Sequence, residues 1–302
     1  MYIDSHIHVG LGGGDNNCKK IVESIDEKRM WIQRIFRAYK EKKIFALRDG
    51  GDNHGFSMLA RSIAKEEGIL YKTPGYALYK KGFYGAFLGK AILDLSDFKR
   101  EFKLLLKEKP DHFKIPLTGI VSFQQYGQIG PTAFTQEELT YMTEAAQDQG
   151  LPVMVHANGS EAVNMAVLAG VDTIEHGYFM GDRELYGLGE KGIVWIPTLA
   201  PLGNLVELQD EKFKKELDII EKIYQRHLEL LYWGYQLKIK IAVGSDAGAY
   251  GVAHGTGYFD EVRHFIRMGL KEEEIHNLAL ENGVAALGLT AEEISHLKRM
   301  KG

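Results

Sequence analysis

The first stretch able to do chemistry is Asp4-Ser5-His6-Ile7-His8, which follows Tyr2-Ile3 and runs through Val9-Gly10 into Leu11-Gly12-Gly13-Gly14. On a strand, alternation puts His6 and His8 on one face and turns Ile7 to the other. Two imidazoles then converge on one point, and imidazole nitrogen is a common ligand for zinc and its neighbours. The plain alternative is a pair of ordinary histidines near the N-terminus. Three later stretches shift the balance: Val155-His156-Ala157-Asn158-Gly159, Glu175-His176-Gly177 and Gly244-Ser245-Asp246-Ala247-Gly248. In each, one potential ligand ends an apolar run and small residues follow, leaving room for an ion or a substrate.

Lys114 lies inside the apolar stretch Asp111-His112-Phe113-Lys114-Ile115, where an ammonium is costly unless it is paired or chemically changed. At about 4 Å from a divalent ion its repulsion would be roughly 8 kcal/mol at an effective dielectric near 20, enough to deprotonate it. A neutral amine can take up carbon dioxide as a carbamate, whose two oxygens can bridge two metals. A lysine that snorkels out of the strand, or pairs with a neighbouring acid, is the alternative.

These positions need strands to carry them and helices to return the chain. Apolar runs predict strands at the N-terminus and over 43–48, 69–78, 111–115, 153–156, 172–176, 193–197 and 238–246. Helical spacing predicts helices over 18–41, 56–67, 96–108 and 135–149, one from 160, and others over 210–236, 258–268 and 271–287. The segments 79–93, 117–131 and 247–257 read as long binding loops. Eight strands with apolar interiors, alternating with helices, point to a closed parallel (β/α)8 TIM barrel, with a doubly wound sheet as the alternative. Active sites of such barrels sit at the C-terminal ends of the strands.

The 302 residues suit one barrel domain, for which about 250 residues is usual. The formal net charge of −4 is spread over interspersed acids and bases, which argues against nucleic-acid and membrane partners. Cys18 is the sole cysteine, so any metal is held by His, Asp, Glu or a modified side chain. With neither a signal-peptide pattern nor a membrane-length apolar run, the expectation is a soluble cytoplasmic protein.

Taken together, His6-Ile7-His8, Lys114, His156, His176 and Asp246 resemble the amidohydrolase superfamily. Asp111-His-Phe-Lys114-Ile, Gly150-Leu-Pro-Val, Ala169-Gly-Val-Asp-Thr-Ile-Glu-His-Gly177 and Gly244-Ser-Asp-Ala-Gly248, with His254-Gly255 and Glu261, resemble its imidazolonepropionase-like and prolidase-like branch. The resemblance implies two divalent metal ions, zinc first among the candidates. His6, His8 and Asp246 would hold one, His156 and His176 the other, and carboxylated Lys114 would bridge them. It implies that a metal-bridging hydroxide attacks an amide or other C–N bond of a small molecule, of the dipeptide or N-acyl amino acid type, with Asp246 as proton carrier. Most members also carry a small β-rich domain that this sequence is expected to lack, leaving a surface that a homo-oligomer would cover.

Two other functions are compatible with the same residues. One is a lactonase, esterase or phosphotriesterase using the binuclear site, and the other is a non-catalytic metal-binding barrel. For substrate contacts the candidates are His54 and His254 on expected mouth loops, Tyr84 and Tyr178 as hydrogen-bond donors, and Asn158. Arg48 could bind a carboxylate or pair with Asp49 or Asp52. His112 reads as core or support, and His227, His264, His276 and His296 as surface residues on helices.

Overall fold

The structure is a computed structural model that describes residues 2–14 and 24–299. The expected strands and helices largely form, in parallel order. Strands β1 (Tyr2–Ile7), β2 (Ile44–Asp49) and β3 (Leu70–Lys72) make one sheet, and β4 (Ala77–Lys80) pairs with β5 (Gly89–Ile92). A second long ladder runs β6 (Phe113–Pro116), β7 (Val153–Ala157), β8 (Thr173–His176) and β9 (Val194–Ile196). All these pairings are parallel, as crossover connections through helices require.

The crossovers are α1 (Ile25–Glu41), α2 (Phe56–Glu67), α3 (Leu95–Lys107), α4 (Gln136–Gln147), α5 (Ser160–Ala169) and α6 (Asp182–Lys191). Capping boxes start two of them: Ser24 with Glu27 opens α1, and Thr135 with Glu138 opens α4. After β9 come α7 (Ala200–Leu208), a short turn of 3-10 helix and α8 (Leu217–Gln236), then α9 (Gly257–Arg267), α10 (Glu272–Ala286) and α11 (Ala291–Arg299).

Backbone hydrogen bonds join the sheets into a (β/α)8 barrel. The eighth position is filled by 239–247, an irregular extended segment rather than the regular strand expected. On one side Trp195 N donates to Lys240 O at 2.8 Å and Ala242 N to Trp195 O at 2.9 Å. On the other, Ser5 N donates to Val243 O at 2.9 Å and His8 N to Ala247 O at 2.8 Å. Between β3 and β6, Asp111 N donates to Thr73 O at 2.9 Å.

The outer core packs Ile7, Val9, Leu47, Ile115, Val155 and Ile174, all fully buried, against the helices. A smaller core of Ile3, Ala46, Val194, Ile196 and Ala242 meets Leu287 and Leu297. Each such aliphatic side chain contributes about 1.5–3 kcal/mol on burial. Polar groups therefore collect at the other end of the strands.

Several expectations are corrected. The strand expected over 69–78 is two strands, because Pro74 lacks an N–H and Gly75 takes φ +70° between them. The loop expected over 79–93 contains β5, whose Gly89 permits an approach to Ala77 that a Cβ would block at 1.8 Å from its carbonyl oxygen. Helices α7 and α11 were not expected. His227 and His264 are buried rather than on the surface. His227 lies on the apolar stripe of α8 with Ile220, Ile223, Tyr224, Leu230 and Leu231, and its Nε2 meets Pro197 O at 2.9 Å. The stretch 18–23 of the first expected helix, with Cys18, lies outside the described residues.

Candidate active site

At the C-terminal ends of the strands the sequence-predicted ligands come together. His6 and His8 stand on one face of β1 and its continuation, their Nε2 atoms 3.2 Å apart. Asp246 Oδ1 is 3.6 Å from His6 Nε2 and 3.4 Å from His8 Nε2. His6 Nδ1 lies 2.5 Å from Glu175 Oε2. A carboxylate can only accept, so Nδ1 carries the proton and the Nε2 lone pair is left facing His8 and Asp246.

Glu175 is held in turn by Arg48, whose Nη1 donates to its Oε1 at 3.1 Å, and by Thr173 Oγ1 at 2.6 Å. Arg48 and Glu175 are both fully buried. Arg48 thus binds neither Asp49 nor Asp52, and it lies below the cleft rather than in it. Glu175 went unrecognised in the sequence.

His156 and His176 complete the cluster. Their ring centroids are 4.5 Å apart, and His176 is 5.2 Å from His6. His176 Nδ1 lies 2.7 Å from Thr198 Oγ1, which orients its Nε2 away from that contact. His156 Nε2 lies 3.3 Å from Gly119 O. Three strand-end residues here, His176, Thr198 and Asp246, have φ of +68°, +50° and +56°. Such left-handed conformations are uncommon outside glycine and concentrate at functional sites.

Lys114 is buried, and among the described residues no carboxylate lies within ion-pair distance of its Nζ. Burial, offset in part by Glu175, lowers its pKa to about 8. Burial, reinforced by Lys114, pushes His8 and His156 down to about 3, and holds His6 and His176 well below their ordinary range. The imidazoles are therefore neutral near pH 7 and offer lone pairs. Burial raises Asp246 to about 7.

This donor set fits a divalent cation. His6, His8 and Asp246 offer ligand atoms that all lie within 4.8 Å of one another, and two nitrogen donors with one carboxylate suit zinc or a neighbouring transition ion. His156, His176 and Lys114 line the same cleft beside them. Gly50 makes room for the His8 ring, since a Cβ there would lie 2.2 Å from His8 Cε1. Gly50→Ala is expected to displace that ring and weaken metal affinity by about 10–100-fold. Competitive titration against a chromogenic chelator checks this, and an unchanged affinity would remove His8 from the ligand set.

The cluster floors a cleft of about 490 Å³, within the usual size for small-molecule sites. Of the other candidates, Tyr84, Asn158 and Tyr178 line it. Tyr84 lies over His156 at 5.0 Å, and burial raises its hydroxyl pKa above the usual range. Tyr178 presents only its ring, because its hydroxyl donates to Thr198 O at 2.9 Å. Asn158 accepts from Tyr178 N at 3.0 Å. His254 stands behind the wall, its Nε2 2.9 Å from Leu11 O. His54 is exposed away from the cleft, with its carbonyl accepting from Lys28 Nζ at 2.6 Å. His112 is a buried support whose Nε2 lies 3.1 Å from Asp49 O.

A parallel barrel that gathers histidines, an aspartate and a buried lysine about one cleft defines the class, and a family model matches it. The chain belongs to the amidohydrolase family, whose model matches residues 2–296. An ochratoxinase of Aspergillus niger is 24% identical over 202 residues, covering 66% of this chain and 40% of that protein. An uncharacterized protein of Mycobacterium tuberculosis (strain ATCC 25618 / H37Rv) is 26% identical over 162 residues, covering 53% of this chain and 43% of that one. The chain thus spans less than half the length of these curated relatives. A crystal structure of a Xaa-Pro dipeptidase with bound methionine in the active site superposes with TM-score 0.71 at 23% identity, covering 99% of this chain and 75% of that one. The crystal structure of A. niger ochratoxinase superposes with TM-score 0.74 at 18% identity, covering 99% and 79%.

Proposed function

We propose that this chain, as one barrel domain, hydrolyses an amide or related C–N bond of a small molecule with two divalent metal ions, zinc first among them, and a Lys114 carboxylated by carbon dioxide. The observation that carries the reading is the convergence of His6, His8 and Asp246, with His6 fixed by Glu175 so that its lone pair faces the other two. Lys114 supports it as a buried amine close enough to neutrality to react with carbon dioxide. When bound, divalent ions polarise a carbonyl and lower the pKa of water.

The chain's own residues supply the proton traffic. Asp246 takes a proton from the water that adds to the carbonyl carbon and delivers it to the leaving nitrogen. The C–N bond breaks, giving an acid and an amine. Asn158 shapes the cleft beside His156, and Tyr84, which lines the cleft against the His156 ring, is the candidate donor to the carbonyl oxygen.

The family and the dipeptidase and ochratoxinase relatives favour a dipeptide or N-acyl amino acid as substrate. The dispersed surface charge favours neither nucleic acid nor membrane as a partner. In the described residues no helix is long and apolar enough to cross a membrane. A cytoplasmic location and a homo-oligomer remain part of the proposal.

Elemental analysis of protein purified without chelator is the first test. About two ions per chain are expected, falling towards one or none in Lys114→Ala. A wild-type chain that stays metal-free after supply of zinc or manganese with bicarbonate would make the non-catalytic barrel the better reading. A panel of amides, lactones and phosphotriesters then decides the bond, and turnover confined to lactones or phosphotriesters would overturn amide hydrolysis.

A further inference from the structure

Apart from the histidines, Lys114, Asp246 and Asn158, the cleft is lined by aromatic and aliphatic side chains, Leu11, Phe87, Leu88, Leu202 and Leu205 among them. A second groove of about 530 Å³ opens beside it. Ile120, Val121, Phe123 and Phe213 line both, so the two spaces share one wall.

That wall is built, not incidental. Phe123 meets Phe213 edge-on at 5.6 Å, and Phe213 meets Tyr250 edge-on at 5.4 Å, an arrangement aromatic rings prefer. The Phe123 side belongs to a hairpin whose limbs pair between Val121 and Ile129. Ser122 N donates to Gln128 O at 2.9 Å and Gly130 N to Ile120 O at 3.0 Å. The hairpin is tied to the site at its base, where Gly119 O lies 3.3 Å from His156 Nε2 and Thr118 Oγ1 accepts from Asn158 N at 3.1 Å. The second groove is also lined by the exposed Gln124 and Gln128 and the half-buried Glu216.

We infer that the hydrolysed substrate carries a large apolar substituent, a medium-length aliphatic or aromatic acyl group, which runs from the cleft over the Phe123–Phe213 wall into the second groove. This rests on the amide-hydrolase reading and narrows its substrate to N-acyl compounds with a bulky apolar acyl part. The scissile carbonyl sits over the histidines and Asp246, and the hydrocarbon follows the apolar lining.

The test uses one amine part, L-phenylalanine, acylated with acetyl, hexanoyl or decanoyl. Both kcat/KM of the metal-loaded chain and Kd by calorimetry are measured. Each methylene the walls cover should improve both by roughly fourfold, so hexanoyl should exceed acetyl by at least about 50-fold. Phe123→Ser and Phe213→Ser should each cut the hexanoyl-to-acetyl ratio by at least about tenfold, as expected for removing a large buried contact. Leu208→Ser, which is exposed and lines neither space, should leave the ratio unchanged. Two phenylalanine variants guard against one failing to fold. A ratio near one in both kcat/KM and Kd would overturn the inference while leaving amide hydrolysis intact. A length-dependent Kd with no turnover of any amide would sink the hydrolase reading and leave the groove standing.

Discussion

Asp246→Asn is expected to lower kcat/KM on any amide the metal-loaded chain hydrolyses by about 10²–10⁴-fold, the range for loss of a positioned general acid–base. Asparagine nearly preserves the shape but cannot take up the proton. The same variant should gain stability in metal-free protein above neutral pH. With no cation bound, burial raises Asp246 from 3.8 to about 7, above its value in the unfolded chain. Between those values the native state holds a proton that the unfolded state has released, so stability falls as pH rises through that window. The amide side chain removes this loss, and a gain of about 1–3 kcal/mol is expected at pH 8 by denaturant unfolding in chelator, discounted for partial solvent access. A cation beside the carboxylate favours its charged form, so the acidic limb of the activity profile should lie below pH 7. Equal metal-free stabilities of variant and wild type at pH 8 would refute the electrostatic account. Unchanged turnover would refute the role in proton transfer.

Arg48→Met should destabilise the chain by about 3–5 kcal/mol, because it strands the Glu175 carboxylate in the barrel interior. Arg48 and Glu175 are each fully buried and meet at 3.1 Å. Thr173 links them, accepting from Arg48 Nη2 at 2.9 Å and donating to Glu175 at 2.6 Å. Replacing both ions in Arg48→Met with Glu175→Leu should recover most of the stability, as apolar substitutes for buried pairs commonly do. It should not recover metal affinity, since His6 Nδ1 then has no carboxylate to fix its tautomer, a loss worth about 10–100-fold. Chemical denaturation and metal titration of the three proteins separate the two effects. A double variant that binds metal like the wild type would show that Glu175 serves stability alone.

The convergence of His156, His176 and Asp246 was legible because each sits where an apolar run ends in small residues. That is a local signal, and the strand-end geometry of a parallel barrel turns it into a shared location. The Arg48–Glu175 pair was not, since its partners are 127 positions apart and each has a cheaper local explanation. A weak signal existed: a charge within each of two otherwise apolar runs implies a partner. His227 was misjudged although its spacing from Ile220, Ile223, Tyr224 and Leu231 matches one helix face. The segment 117–131 was read only as a loop, because the limbs of its hairpin pair through an isolated bridge that leaves no alternating pattern. The break at Pro74 and Gly75 was written in the sequence, and weighing the proline against a long strand would have found it.

The base of that hairpin bears on how the scaffold could be re-engineered. Gly119 and Gly130 cross so closely that a Cβ on either would lie 2.7 or 2.6 Å from the other's Cα, and Ile129 leaves too little space for a side chain at Gly159. The loop and the strand-end histidine it touches are thus one module. A transplant that swaps residues 120–129 for a foreign sequence should be accepted only if both crossing glycines and Thr118 travel with the host, and libraries aimed at new chemistry belong at the tip.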